Sequence, residues 1–329
     1  MRPIFTCLVL ATLVGALAAQ APGPVGLPPR APKNEVLQGM PPIVRLAFRA
    51  GPTTRFVGVR RVQSEKNVFT QRVFKDGRKI RSEFLDGSSK GTIIVDSGRD
   101  RRIYRPKQNR IELMPGGGDM AGLRPQMLLA TIERERMSPT ISDGGFVAGF
   151  TTQLATFTRP NAQVGVRMWI DPSTGAVLKF DAFRPDGSLA AHFEYVSIDY
   201  KSAIDPNSFT LNMPGVKEVT QKELVIEEAR KLGLTPVILN LPGYVLTHQH
   251  VLKRKESQAL IQLYRGPRGP IMLGQTLGNL DPSAFKERPK RPHENVYLWK
   301  SGRETLVLIG ELSIEQLQQS SRSVTAAGS

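Results

Sequence analysis

The chain has 329 residues, with 45 Lys and Arg against 29 Asp and Glu, for a formal net charge of +16. Its one cysteine, Cys7, rules out a disulfide framework, and this length buries enough surface to be held by its own core, most comfortably as two domains. The basic excess implies affinity for anionic surfaces or an acidic partner, although the charges are spread along the chain and also fit an ordinary solvated basic surface.

Residues 1–21 have the three parts of a cleavable export signal. These are Arg2, an apolar run from Ile4 to Leu17, and small residues at Ala16-Leu17-Ala18 and Ala19-Gln20-Ala21. The run is shorter than the roughly 20 residues a membrane span needs. Cys7 lies near its start, after Phe5-Thr6, and so lacks the small residues that precede a lipid-attachment cysteine. Export removes nucleic acid as the expected counterpart. Anionic envelope surfaces such as lipid headgroups, lipopolysaccharide or cell-wall polymers take its place. Residues 22–35 hold Pro22, Pro24, Pro28, Pro29 and Pro32, a polyproline-like linker that cannot build a core.

A short helix is expected over 43–50, after which the hydrophobic period becomes two. Ile80 and Phe84 share one side of 79–84. Val164, Val166, Met168 and Ile170 alternate with Gly165, Arg167 and Trp169. Leu178 and Phe180 alternate with Lys179 and Asp181, and Phe193 and Tyr195 with Glu194. Such alternation marks antiparallel strands. Asp76-Gly77, Asp86-Gly87 and Asp186-Gly187 are hairpin signals, while Pro106–Asn109 and Asp171–Gly175 are longer turns. The resulting meander is interrupted by Gly116-Gly117-Gly118 and a helix expected over 120–137, with strands resuming near Phe146. Beyond Pro214-Gly215 we expect a helix from Glu223 to Leu232, strands over 244–253, 258–265, 294–300 and 304–311, and a polar loop over 278–293. A last helix is capped by Ser313 and Gln316, with Ile314, Leu317 and Val324 on one face. The expected domains are a signal peptide (1–21), a linker (22–35), a β domain (36–215) and a small α+β domain (216–329).

No catalytic constellation emerges. Gly87-Ser88-Ser89-Lys90-Gly91 matches G-x-S-x-G, but strands on both sides make it a hairpin rather than a nucleophile elbow. Gly116–Asp119 lacks the Lys-Ser/Thr of a phosphate loop. His248 and His250 face one way on a strand, yet His192 and His293 add no third ligand, so no metal or other cofactor is expected. Glu227-Glu228 and Glu133/Glu135 sit on solvated helices. Trp169 and Trp299 are packing residues in strands. Arg99–Arg102 and Arg265–Arg268 are expected as solvated turns.

The segments Arg72–Phe84, Val95–Tyr104, Trp169–Gly175, Phe183–Gly187, Ile198-Asp199-Tyr200 and Ile204–Phe209 resemble the LolA/LolB-type fold of bacterial envelope proteins. They are most similar to the RseB/MucB family of periplasmic sigma-factor regulators. Leu241-Pro242-Gly243-Tyr244, Trp299–Gly302 and Leu306–Leu312 resemble the smaller C-terminal domain of that family. The resemblance covers about four-fifths of the chain, apart from the glycine run and the 278–293 loop. It implies a curved antiparallel sheet, a half-barrel covered by helices, with an apolar concavity suited to an acyl chain or lipoprotein and no catalytic residues. A periplasmic segment of an anti-sigma factor is a second implied partner, in envelope stress signalling. The expected lining is Met127, Leu128, Ile132, Val164, Val166, Met168, Ile170, Leu178 and Phe180, residues that equally suit plain core packing. The expected product is a non-enzymatic exported protein, soluble and periplasmic or extracytoplasmic after cleavage. A purely structural cell-wall role, or a secreted hydrolase, is the alternative.

Overall fold

The computed structural model describes residues 37–51, 53–64, 67–116, 125–254, 257–278 and 294–327. The expected export signal with Cys7, the Pro-rich linker, Gly117, Gly118, His293 and residues 279–293 of the expected loop lie outside the described residues. The fold is mainly β. Its first unit ends at Glu218 and its second begins at Val219.

The first unit opens with helix α1 (Pro42–Ala50), which begins on Pro42, where the missing N–H costs nothing. Six strands follow: β1 (Arg55–Ser64), β2 (Asn67–Asp76), β3 (Lys79–Phe84), β4 (Ile93–Asp96), β5 (Asp100–Arg105) and β6 (Arg110–Pro115). Each is antiparallel to the one before it. Helix α2 (Pro125–Arg134) intervenes. Then come β7 (Ser138–Val147), β8 (Phe150–Thr158), β9 (Val164–Ile170), β10 (Val177–Phe183) and β11 (Leu189–Asp199), a second antiparallel meander. β11 pairs with β1, so the two meanders join through their inner strands into one curved open sheet. β7 forms one edge. At the other, β12 (Lys217–Thr220), on which the first unit ends, lies beside β6.

Gly77, Gly87 and Gly187 all take positive φ, but of the three expected two-residue hairpins only Asp76-Gly77 forms one, between β2 and β3; Asp86-Gly87 and Asp186-Gly187 sit in the longer loops 85–92 and 184–188. Two boundaries differ from expectation. The inserted helix stops at Arg134, since Arg136 takes a left-handed φ of 51°. Strands resume at Ser138 rather than near Phe146: β7 is an exposed edge rich in Ser, Thr and Gly, so it carries no apolar alternation to read.

The second unit contains α3 (Gln221–Lys231), β13 (Val237–Leu239), β14 (Val245–Arg254), β15 (Ser257–Gly266), β16 (Gly269–Leu277), β17 (Asn295–Ser301), β18 (Glu304–Gly310), α4 (Ile314–Ser321) and β19 (Val324–Ala326). Five strands form one sheet in the order β14-β15-β16-β18-β17, and β13 pairs with β19. Thr220–Glu223 and Ser313–Gln316 are complete capping boxes that fix the starts of α3 and α4. β16 was not anticipated: six consecutive buried residues, Ile271–Thr276, leave no alternation. Val324 does not share a helix face with Leu317. It lies in β19, and Ile314 is exposed.

Candidate functional site

Directly paired residues in antiparallel strands share a face, so the registers divide the large sheet into two surfaces. The inner face carries the main core. Its apolar part is a cross-strand row running Phe69–Val62–Phe193–Phe180–Met168–Ala155. Leu128 and Ile132 of α2 and Ile43 and Val44 of α1 pack into the same cluster. Fully burying each such side chain contributes about 1.5–3 kcal/mol, which is what holds two short helices on the sheet.

The expected lining residues mostly gather here. Leu128, Ile132, Val166, Met168, Ile170, Leu178 and Phe180 are all buried members of this cluster. Val164 is half-buried at the start of β9. The side chain of Met127 lies outside the described residues.

Beside the apolar row runs a polar one. Arg60 pairs with Tyr195 on β11 and with Gln71 on β2, and Gln71 pairs with Phe84. Arg60 and Gln71 are each only 1 % exposed. Arg60 Nε donates to Gln71 Oε1 at 3.1 Å, and the guanidinium lies 5.5 Å from the Phe193 ring centre and 5.8 Å from that of Tyr195. Burying a cation is costly unless it is compensated, and two aromatic rings and an amide are among the groups that compensate this one. Further along this face, Asp96 and Arg101 form a buried ion pair, and Glu112 holds both Arg105 at 3.3 Å and Arg110 at 2.9 Å. Period-two reading misses all of these, because a charged residue in a strand is assigned to the wet side. The available signal was parity: Arg60 shares its side of β1 with Phe56 and Val62.

Arg99–Arg102 is therefore not simply a solvated turn, since Arg101 is buried. The opposite face of β4–β6 has its own small core, Val95, Ile111 and Leu211 with Phe209 and Met213 against it. There Arg81 Nη1 donates to the Ser208 carbonyl at 3.1 Å.

The remaining candidates behave as structure. Gly87–Gly91 is a turn between β3 and β4. His248 and His250 stack at 5.5 Å, and among the described residues no three His, Cys, Asp or Glu gather as a metal site. His192 Nδ1 lies 2.6 Å from Asp181 Oδ1 on the outer face, where Lys179 Nζ sits 4.9 Å above the Trp169 ring. Trp299 stacks on Tyr297. Glu227 and Glu228 both accept from Lys231, as expected for a solvated helix, whereas Glu135 lies beyond α2 and holds Arg159 at 2.8 Å. Among the described residues no helix is long and apolar enough to cross a membrane.

No protein-family model matches the chain, and no curated protein matches it. Solved structures do. The MucA/MucB complex of Pseudomonas aeruginosa is similar over 90 % of this chain and 100 % of its own, at 12 % identity and TM-score 0.44. The LolA superfamily protein NE2245 from Nitrosomonas europaea covers 51 % of this chain and 96 % of its own, at 11 % identity and TM-score 0.25. Lipoprotein LppX of Mycobacterium tuberculosis covers 52 % and 98 %, at 10 % identity and TM-score 0.32. MucB and LolA-superfamily proteins are thus among the structures to which this chain is similar, as the sequence resemblance implies.

Proposed function

We propose that this chain is a non-enzymatic exported binding protein that takes an acyl chain of a lipid or lipoprotein against the inner face of its large sheet. The observation supporting this reading is the composition of that face, where a continuous apolar row adjoins a buried arginine. Apolar surface with a few placed polar groups is the form a lipidic site takes. An acyl chain enters by displacing Leu128 and Ile132 of α2 from the sheet. Re-exposing two such side chains costs about 4 kcal/mol, whereas burying a chain of about 14 methylenes contributes roughly 11 kcal/mol. The difference of about 7 kcal/mol is available to offset the entropic cost of association.

Native mass spectrometry of the protein purified from its own envelope tests this. A bound species of lipid mass that is released by organic extraction supports it, and a ligand-free protein that also takes up no added acyl lipid refutes it. Residues 1–21 support a periplasmic or extracytoplasmic location. The segments resembling the RseB/MucB family support a second partner, the periplasmic segment of an anti-sigma factor. A pull-down from membranes that recovers no single-pass protein would remove that part.

A further inference from the structure

The β3–β4 and β5–β6 loops turn at the same end of the large sheet and enclose a groove of about 110 Å³. A water needs about 10–15 Å³ of such space, so the groove has room for a phosphate group with a few waters. One wall is the turn 85–92. It is folded by left-handed backbone at Gly87 and Gly91 and closed by the Lys90 N–H to the Gly87 carbonyl at 3.2 Å and the Thr92 N–H to the Ser89 carbonyl at 2.9 Å. The other wall is the single 3-10 turn Pro106–Gln108, which Asn109 ends at φ 44°. Lys107 Nζ reaches the Ser88 carbonyl across the groove at 3.5 Å, so both walls meet at a cation.

Lys90, Arg105 and Lys107 line this space together with Ser88, Ser89 and Gln108. Glu112, the carboxylate paired with Arg105, also pairs with Arg110. Lys90, Arg105 and Lys107 outnumber the nearby carboxylates, Asp86 beside Lys90 and Glu112 at Arg105, so the groove keeps a net positive charge beside neutral hydroxyl and amide groups. Lysine ammoniums act as compact charges that suit phosphate oxygens, and arginine presents a fork that matches two of them. We propose that this groove binds a phosphate-bearing anion, with Lys90 and Lys107 clamping it from the two loops and Arg105 at its base. This site is separate from the inner-face acyl site and does not depend on it.

Calorimetric titration of the purified protein with inorganic pyrophosphate at low ionic strength tests the proposal, with phosphatidylglycerol vesicles as a second arm. The Lys90→Gln/Lys107→Gln variant is compared with Lys201→Gln/Lys222→Gln, which removes equal charge from exposed positions elsewhere. Both lysines of the groove are exposed, and circular dichroism verifies that each variant is folded. The groove variant is expected to lose at least about tenfold in affinity, while the control keeps wild-type affinity. Pyrophosphate binding assigns a soluble phosphate and vesicle binding alone assigns a lipid headgroup; either, when lost in the groove variant, supports the site. Equal affinity in the two variants, or no binding in either arm, overturns it.

Discussion

Arg101 Nη2 lies 2.6 Å from Asp96 Oδ2 across β4 and β5, and Nε of the same guanidinium lies 2.9 Å from that oxygen, with both side chains 2 % exposed. Removing one member of a buried pair strands the other charge, which costs about 3–5 kcal/mol. Arg101→Met should lower the unfolding free energy measured in urea by that amount. Asp96→Asn should cost a similar amount, because it strands the buried Arg101 guanidinium in the same way even though an amide oxygen can still accept the Gly98 N–H that Asp96 now takes at 2.6 Å. A loss below about 1 kcal/mol in either variant would show that the ion pair is not what matters.

Gly58 is required for a different reason. A Cβ there would stand 2.9 Å from the Ser197 carbonyl oxygen and 3.0 Å from the Tyr195 ring, next to the irregular register between Val59 and Arg60. Gly58→Ala should cost about 1–3 kcal/mol as overpacking. Gly145→Ala, at positive φ but with open space around it, should cost only about 1 kcal/mol of backbone strain. Chemical denaturation of the two variants checks the order, and a milder effect at Gly58 would contradict the packing.

Asp171 organises the turn 171–175. Its carboxylate accepts Ser173 N–H at 2.9 Å, Ser173 Oγ at 2.7 Å and Thr174 Oγ1 at 2.6 Å. Burial pushes its pKa up, but the hydrogen bonds from Thr174 and Ser173 outweigh this and hold it below the ordinary 3.8. Because the folded value is depressed, the stabilisation is present above pH 3.8 and is lost as pH falls through the folded value. Asp171→Asn should be less stable than wild type at pH 7, and the gap should shrink below pH 3.8. A gap that stays constant in acid would contradict the assignment.

His250 gives the second unit its own pH response. Burial, and secondarily the neighbouring His248, lowers its pKa to about 4 from 6.5, and its Nδ1 has no hydrogen-bond partner. Above pH 6.5 both folded and unfolded chains hold it neutral. Between 6.5 and 4 the unfolded chain alone takes the proton, so stability falls by up to about 3 kcal/mol. Facing it are His248, stacked alongside, and Ile261 across the strand pair. His250→Phe should flatten the stability profile of the second unit between pH 6.5 and 4. An unchanged slope would assign the response to another group.

Much of this architecture is legible in the chain. The Asp76-Gly77 hairpin, the two meanders, the intervening helix and the Ser313–Gln316 capping box follow from turn chemistry and period. Where the residues do not alternate, the sequence is silent. β16 is buried along most of its length and β7 is exposed along most of its length, so neither has a period to read. The pairing of β1 with β11 joins residues more than a hundred positions apart, which local pattern cannot specify. The candidate site divides in the same way. Its apolar residues were legible because they alternate. Arg60 and Gln71 were not, because a polar side chain on the core side of a strand breaks the rule that located the core.

The inner-face site is tested most directly by photo-crosslinking with a diazirine-bearing acyl lipid, followed by peptide mapping of the adducts. Adducts on the segments carrying Leu128, Ile132, Met168 and Phe180, competed away by unlabelled lipid, are the predicted result. Adducts confined to exposed positions such as Phe146, which is 78 % exposed, or to the second unit would contradict it.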